Sequence, residues 1–281
     1  MKKIYIYLTA MLLACASLSS HAQALKTPQL SSTQTIEQDL GLGKITLTYS
    51  RPNVKGRKIF GGMEPYGVVW RTGANAATII KFSDDVIING TKIPAGEYGL
   101  FSIPDPNEWT VILNKTANQW GAYTYKQTDD ILRFKVKTMK YADPLETLTF
   151  QFNNVDRTKC DLEMRWENIS FSFPITTEVD SKIMANIDDV MNNDKKPYFD
   201  AALYYYENNK DLTKALEWIS TAEKEHPQSA FYKVWKARIQ LKMGDKAGAL
   251  KTAQEGVKLA KADNDPEYMR LNQGVADQAS K

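Results

Sequence analysis

The sequence predicts a two-part protein, in which an antiparallel β domain, built as a sandwich or a barrel, precedes an all-α array of helical repeats. Three observations support this prediction. Apolar and polar residues alternate from about residue 28 to residue 176, as in strands with one buried face. The period changes to that of helices after Pro174. The helical part then repeats itself at a shift of 34 residues.

Residues 1–22 have the features of a signal peptide. Two lysines precede the apolar run Ile4–Ala16, and Ser20-His21-Ala22 supplies small residues before a cleavage site. We therefore expect an exported protein, located in the periplasm or outside the cell. One alternative stays open, since Cys15 follows the apolar run and would be the lipidated first residue of an anchored lipoprotein.

The composition is that of a globular protein, with 43% hydrophobic and 25% charged residues. Loss of Lys2 and Lys3 with the leader lowers the net charge from +3 to +1. Such a balance lacks the basic excess of nucleic-acid-binding proteins, so we expect no nucleic-acid partner. After the leader, no stretch approaches the roughly 18 apolar residues of a membrane helix, and we expect no transmembrane segment.

The β domain is predicted over residues 28–176. The segment 44–49 alternates polar and apolar residues, and similar segments recur along the domain. Asn89-Gly90 predicts a tight hairpin turn, because both residues tolerate positive φ angles. Cys160 shares its strand face with the apolar residues around it, which predicts a buried and unreactive thiol.

The helical domain is predicted over residues 180–281. At the 34-residue shift Asp211 aligns with Asp245, and Ala215 aligns with Ala249. This segment resembles tetratricopeptide repeats, which have that length and use small residues where paired helices approach closely. The resemblance implies repeats at about 196–229 and 230–263. Because two repeats bury little surface, we expect flanking capping helices near 180–192 and 266–280.

Few residues are available for catalysis in the predicted β domain. His226 is the single histidine left after the leader, and it lies in the helical part. Histidine-based triads and His–Cys zinc sites are therefore excluded from the β domain, and we expect neither a metal nor a cofactor. The pairs Asp84-Asp85 and Asp129-Asp130 could support glycoside hydrolysis, although both stand where turn-forming aspartates are common.

The segment from Tyr49 to Asn75 concentrates basic, glycine and aromatic residues without strand alternation. Long loops of this kind in compact domains are usually functional. Arginine forks bind carboxylates or phosphates, and aromatic faces pack on sugars or peptides. The alternative is a structural loop, held by internal arginine pairs and by a core tryptophan. The residues of the proposed ligand site are Arg51, Arg57, Tyr66, Trp70, Arg71 and Asn75.

A second aromatic cluster surrounds a predicted turn further along the chain. It either stacks on a ligand or packs at the end of the β domain. Its members are Trp109, Asn114, Trp120 and Tyr123.

Several short motifs occur in order along the predicted β domain. They are Ser50-Arg51-Pro52, Lys55-Gly56-Arg57, Phe60-Gly61-Gly62, Pro65-Tyr66-Gly67, Val69–Asn75, Pro94–Tyr98, Trp109–Asn114 and Gln119–Tyr123. Through them the chain resembles the secreted domain-of-unknown-function family 2911 over about residues 28–176. The resemblance implies an exported domain with these limits, and it transfers no activity and no catalytic residues.

These features together favour a non-catalytic binding or scaffold protein. Its β domain would bind an acidic glycan or a peptide, and its helical repeats would bind a protein partner. A carboxylate-dependent hydrolase acting on glycans is the alternative.

Overall fold

The computed structural model describes residues 27–193 and 196–281. The predicted signal peptide and Cys15 lie outside these residues. The chain divides into two compact units, with the boundary between Glu178 and Val179. Within the described residues the first unit holds nine strands and the second holds six helices. The predicted fold class, a β domain followed by an α-helical array, is confirmed. The domain limits predicted from the sequence stay predictions.

The β domain is one antiparallel sheet of nine strands, counted over the described residues, in the spatial order β1-β2-β3-β6-β7-β8-β9-β4-β5. The predicted Asn89-Gly90 turn joins β4 to β5, with φ angles of 50° and 74°. The strands are β1 (Ser32–Leu40), β2 (Gly43–Arg51), β3 (Thr78–Phe82), β4 (Val86–Ile88), β5 (Thr91–Ile93), β6 (Gly96–Ile103), β7 (Glu108–Asn114), β8 (Asp130–Asn153) and β9 (Lys159–Thr176).

Along strand β8 the sheet bends around one core. Its first part pairs with β7 and its second part pairs with β9, with register shifts between Lys140 and Thr149. Such irregularities bend a strand and increase its twist. The second part of β8 then reaches the end of β2, where Asn53 bridges Thr147 and the Leu148 amide donates to the Pro52 carbonyl at 2.9 Å. The sheet therefore closes back toward its own beginning.

Aromatic rings fill the core of the β domain. Trp70 stacks on Trp166 with ring centroids 5.9 Å apart, and Phe60 meets the Trp109 ring edge-on at 4.7 Å. Cys160 is fully buried here, as predicted, and desolvation by burial raises the pKa of its thiol to about 11. The thiol is therefore protonated at neutral pH and is a packing group.

The helical unit contains, among the described residues, α1 (Asp180–Val190), α2 (Tyr198–Glu207), α3 (Leu212–Glu225), α4 (Ala230–Lys242), α5 (Lys246–Ala262) and α6 (Pro266–Ala279). Aspartates begin three of these helices, because a carboxylate accepts the free backbone N–H groups of the first turn. Asp211 caps α3, Asp245 caps α5 and Asp265 caps α6.

Two features hold the helices of this unit together. Small residues such as Ala215, Ala249 and Gly256 are buried where helices approach. Buried Glu223 accepts hydrogen bonds from two lysines of α4, Lys233 and Lys236.

None of the helices in residues 27–193 and 196–281 has the length and apolar character needed to cross a membrane.

Candidate functional site

The long connection between β2 and β3 is held in place by core packing and by backbone hydrogen bonds. Ile59 and Phe60 are buried in the core, and the Trp70 backbone exchanges two hydrogen bonds with Ser102 of β6 at 2.7 and 2.9 Å. Two further residues, Thr72 and Asn75, adopt left-handed backbone conformations with φ of 51° and 59°. These backbone conformations are unfavourable for residues other than glycine, and contacts with the rest of the domain hold them in place.

This connection surrounds a cavity of about 310 Å³, which we call the Arg71 cavity. Its wall carries three basic side chains and one carboxyl group. The chain just before β1 closes one side through Leu30 and Ser31. The lining residues are Leu30, Ser31, Pro52, Asn53, Lys55, Arg57, Met63, Glu64, Arg71, Gly73 and Ala74.

The Arg71 side chain lines this cavity. Its Nε is buried and has no hydrogen-bond acceptor among the described residues, and the guanidinium and Glu64 attract each other from beyond ion-pair distance. A buried unpaired donor of this kind destabilises a fold by about 1–3 kcal/mol. An unsatisfied buried donor in a folded protein needs an explanation, and a functional role is one of the known explanations.

Glu64 is the single carboxyl group among the residues that line the Arg71 cavity. Desolvation raises its pKa to about 7, against the opposing attraction of Arg71 and Arg57. Neither arginine comes within ion-pair distance of Glu64 in the described part of the chain, so burial prevails. Near neutral pH this carboxyl group is therefore present in both its protonated and its ionised form.

The other two arginines of the proposed site point differently. Arg57 lines the Arg71 cavity and donates to the carbonyls of Val54, at 3.0 Å, and Asn53, at 2.5 Å. Arg51 does not line the cavity. Its guanidinium donates to the Leu148 carbonyl at 3.0 Å and to the Thr149 hydroxyl at 2.8 Å, and thereby ties β2 to β8.

Three other residues of the predicted site lie around the cavity without lining it. The Trp70 ring is in the core and donates through Nε1 to the Gly73 carbonyl at 3.0 Å. Asn75 donates to the Ser31 carbonyl at 3.1 Å and so fixes one cavity wall. Tyr66 is 43% exposed, lies over Gly61 and faces a separate, smaller cavity.

The second predicted cluster divides into a buried and an exposed half. Trp109 belongs to the core, and buried Asn114 donates to the Lys126 carbonyl and to Asp130. Trp120 and Tyr123 are 65% and 84% exposed. Their loop is attached to the connection between β2 and β3, because the Gly121 amide donates to the Asn75 carbonyl at 3.0 Å.

The two aspartate pairs serve the turns in which they stand. Asp85 accepts from the Ala95 amide and pairs with Lys92 at 3.0 Å. Asp130 pairs with Arg133, also at 3.0 Å, and accepts from the Tyr125 hydroxyl. Among the described residues, no three His, Cys, Asp or Glu side chains group as metal ligands do.

Sequence reasoning missed Glu64, Lys55 and Asn53 as parts of the site. Lys55 and Glu64 stand inside the unusual segment, so a charge inventory of that segment would have included both. The raised pKa of Glu64 follows from burial, which has no local sequence signature.

The comparisons with known proteins bear on the β domain. A family described as a protein of unknown function, DUF2911, matches residues 31–175, which is more than half of the chain. No curated protein and no solved structure matches the chain. The match begins just before β1 and ends at the end of β9, and so includes every residue of the Arg71 cavity except Leu30. The chain therefore belongs to the DUF2911 family.

Proposed function

We propose that this protein is an exported binding protein whose β domain captures the carboxylate of an acidic glycan or of a peptide in the Arg71 cavity. The observation that carries the proposal is the Arg71 guanidinium, whose buried Nε has no acceptor within the described residues. A ligand carboxylate is planar and accepts two parallel hydrogen bonds from an arginine fork.

The charges around Arg71 favour an anion. Arg57 and Lys55 add two positive charges to the wall, and the Arg57 hydrogen bonds to backbone carbonyls keep its guanidinium in place. Glu64 opposes an anion when ionised, but its protonated form donates a hydrogen bond to a carboxylate. Since the pKa of Glu64 is raised to about 7, protonation at that pH is readily accessible.

The exposed aromatic pair suits the body of such a ligand. Trp120 and Tyr123 present flat apolar faces to solvent on a loop that is hydrogen-bonded to Asn75, which lies beside the cavity. Sugar rings and peptide side chains pack on such faces. We assign these two side chains to contacts beyond the carboxylate.

We assign the helical unit to tetratricopeptide-type repeats that bind a protein partner. Two helix pairs, α2–α3 and α4–α5, follow one another, and their second helices begin at aspartate caps 34 positions apart, Asp211 and Asp245. Helix α6 follows the second pair and α1 precedes the first. Repeat arrays of this kind present extended binding surfaces.

A hydrolase acting on glycans is the second candidate, and Glu64 is the observation that favours it. A carboxyl group with a pKa raised to about 7 suits a general acid. The cavity lining holds no second carboxylate, which the common two-carboxylate mechanisms require. Binding is therefore the better-supported proposal.

Calorimetric titration of the mature chain with galacturonic acid oligosaccharides tests the binding proposal, with neutral galactose oligosaccharides as the matched ligand. We expect binding of the acidic ligand alone. Substitution Arg71→Gln should abolish it while leaving the fold intact. Equal binding of both ligands, or unchanged binding by Arg71→Gln, would reject the Arg71 cavity as a carboxylate site. Hydrolysis of the oligosaccharide that stops in Glu64→Gln would favour the second candidate.

Mass spectrometry of the native protein tests export and processing. We expect an N-terminus at Gln23, after removal of residues 1–22. A lipid-modified Cys15 at the N-terminus would establish the anchored alternative instead.

A further inference from the structure

The helical unit contains a groove of about 380 Å³, which we call the basic groove. Three helices supply its walls: α2, α4 and α6. Its floor is apolar, with Leu241, Leu271 and Val275, and three cations stand around this floor. The lining residues are Tyr206, Arg238, Leu241, Lys242, Arg270, Leu271, Gly274, Val275 and Gln278.

No acidic residue lines the basic groove. Arg238 and Arg270 form no ion pair with any residue in the described part of the chain. This differs from the neighbouring face of α4, where Lys233 pairs with Glu223 and Glu255 and Lys236 pairs with Glu223. The three groove cations therefore repel one another without internal compensation.

Aromatic rings and a backbone carbonyl orient two of these cations. The Arg238 guanidinium lies 4.6 Å from the centroid of the Trp235 ring. Lys242 lies 4.6 Å from the Tyr206 ring centroid and also donates to the Tyr206 carbonyl at 2.5 Å. Such contacts restrict the rotamers of long side chains, which reduces the entropy lost when a ligand binds.

We propose that the basic groove binds an acidic, extended peptide segment of a partner protein. Apolar side chains of the segment would pack on Leu241 and Leu271, and its carboxylates would pair with Arg238, Lys242 and Arg270. The inference rests on the proposed role of the helical unit in partner binding and names the site and the chemistry of that partner. It does not depend on the Arg71 cavity.

Fluorescence anisotropy with the full mature chain tests this assignment. The probe is a short fluorescein-labelled peptide rich in aspartate and leucine, and its matched control carries asparagine in place of every aspartate. We expect binding of the aspartate peptide that weakens as salt is raised. Pairs of this exposure are each worth up to about 1 kcal/mol, so Arg238→Gln and Arg270→Gln should each raise Kd about threefold to fivefold.

Lys258→Gln is the matched charge control, because this exposed lysine of α5 lies outside the groove lining. It should change Kd less than twofold, and so should Arg71→Gln in the β domain. Circular dichroism should show that every variant is folded. Absence of binding, equal binding of the asparagine peptide, or an equal effect of Lys258→Gln would overturn the proposal. A loss of oligosaccharide binding in Arg71→Gln alone would concern only the β domain.

Discussion

Replacement of Arg71 by glutamine separates a ligand-binding arginine from a structural one. Glutamine keeps most of the aliphatic stem and removes the charge. The matched change is Arg51→Gln in the same segment, since Arg51 bonds to the Leu148 carbonyl and the Thr149 hydroxyl at 3.0 and 2.8 Å. The two variants differ mainly in the internal hydrogen bonds that they lose.

The expected free energies of unfolding follow from those hydrogen bonds. A hydrogen bond from a charged donor contributes about 1.5–3 kcal/mol, so the two bonds of Arg51, which is partly exposed, contribute about 3 kcal/mol together. Arg71 forms none with the described residues, and its buried Nε is unsatisfied. We therefore expect Arg71→Gln to leave the unfolding free energy unchanged or to raise it, by up to about 1–3 kcal/mol if the unsatisfied donor is relieved.

Thermal unfolding measures this difference through the β-sheet signal in circular dichroism. For a domain of this size 1 kcal/mol shifts Tm by about 2–4 °C, so Arg51→Gln should lower Tm by about 6–12 °C. Arg71→Gln should leave Tm unchanged or raise it. A loss of about 3–5 kcal/mol in Arg71→Gln would mean that Arg71 belongs to a buried internal pair, and the binding proposal would be wrong.

Four further substitutions test other parts of the account. Because the pKa of Glu64 is raised to about 7 in the folded protein, the stability that this group contributes is present below about pH 4.5 and is lost as pH rises through about 7. Carboxylate binding should weaken over the upper part of this range, and Glu64→Gln should flatten both profiles in pH titrations. Glu223→Gln should lower the stability of the helical unit by about 3 kcal/mol in urea unfolding, because Lys236 then loses its carboxylate partner and Lys233 keeps only Glu255. Gly256→Ala should destabilise that unit by about 1–3 kcal/mol, because the added Cβ would lie 2.0 Å from Oδ1 of buried Asn272. Gly274→Ala, which meets no atom within 4 Å, should stabilise the helix by about 0.5–1 kcal/mol in the same assay.

The fold class was predictable because its signals are local. Alternation along 44–49 places Ile45, Leu47 and Tyr49 in the core, as the structure shows. The Asn89-Gly90 turn and the aspartate caps at Asp211 and Asp245 likewise depend on a few adjacent residues. The return of β8 to the end of β2 was not predictable, since it depends on contacts about 95 residues apart.

The candidate site was only partly predictable, because amino-acid composition does not show where each side chain points in the folded domain. Arg51 and Arg71 look alike in sequence, yet one donates to β8 and the other lies at the Arg71 cavity. Trp70 and Trp120 are both tryptophans of irregular segments, and one is 3% exposed while the other is 65% exposed. Only the tertiary arrangement decides which of these groups a ligand can reach.

Nuclear magnetic resonance of the arginine Nε–H groups tests the central claim most directly. The chain from Gln23 onward, labelled with nitrogen-15, is titrated with galacturonic acid oligosaccharides while these side-chain signals are followed. The account predicts a large shift of the Arg71 signal, because the guanidinium gains a carboxylate partner, and little change for Arg51, whose Nε already bonds to Leu148. An Arg71 signal that stays in place while the oligosaccharide binds would contradict the account.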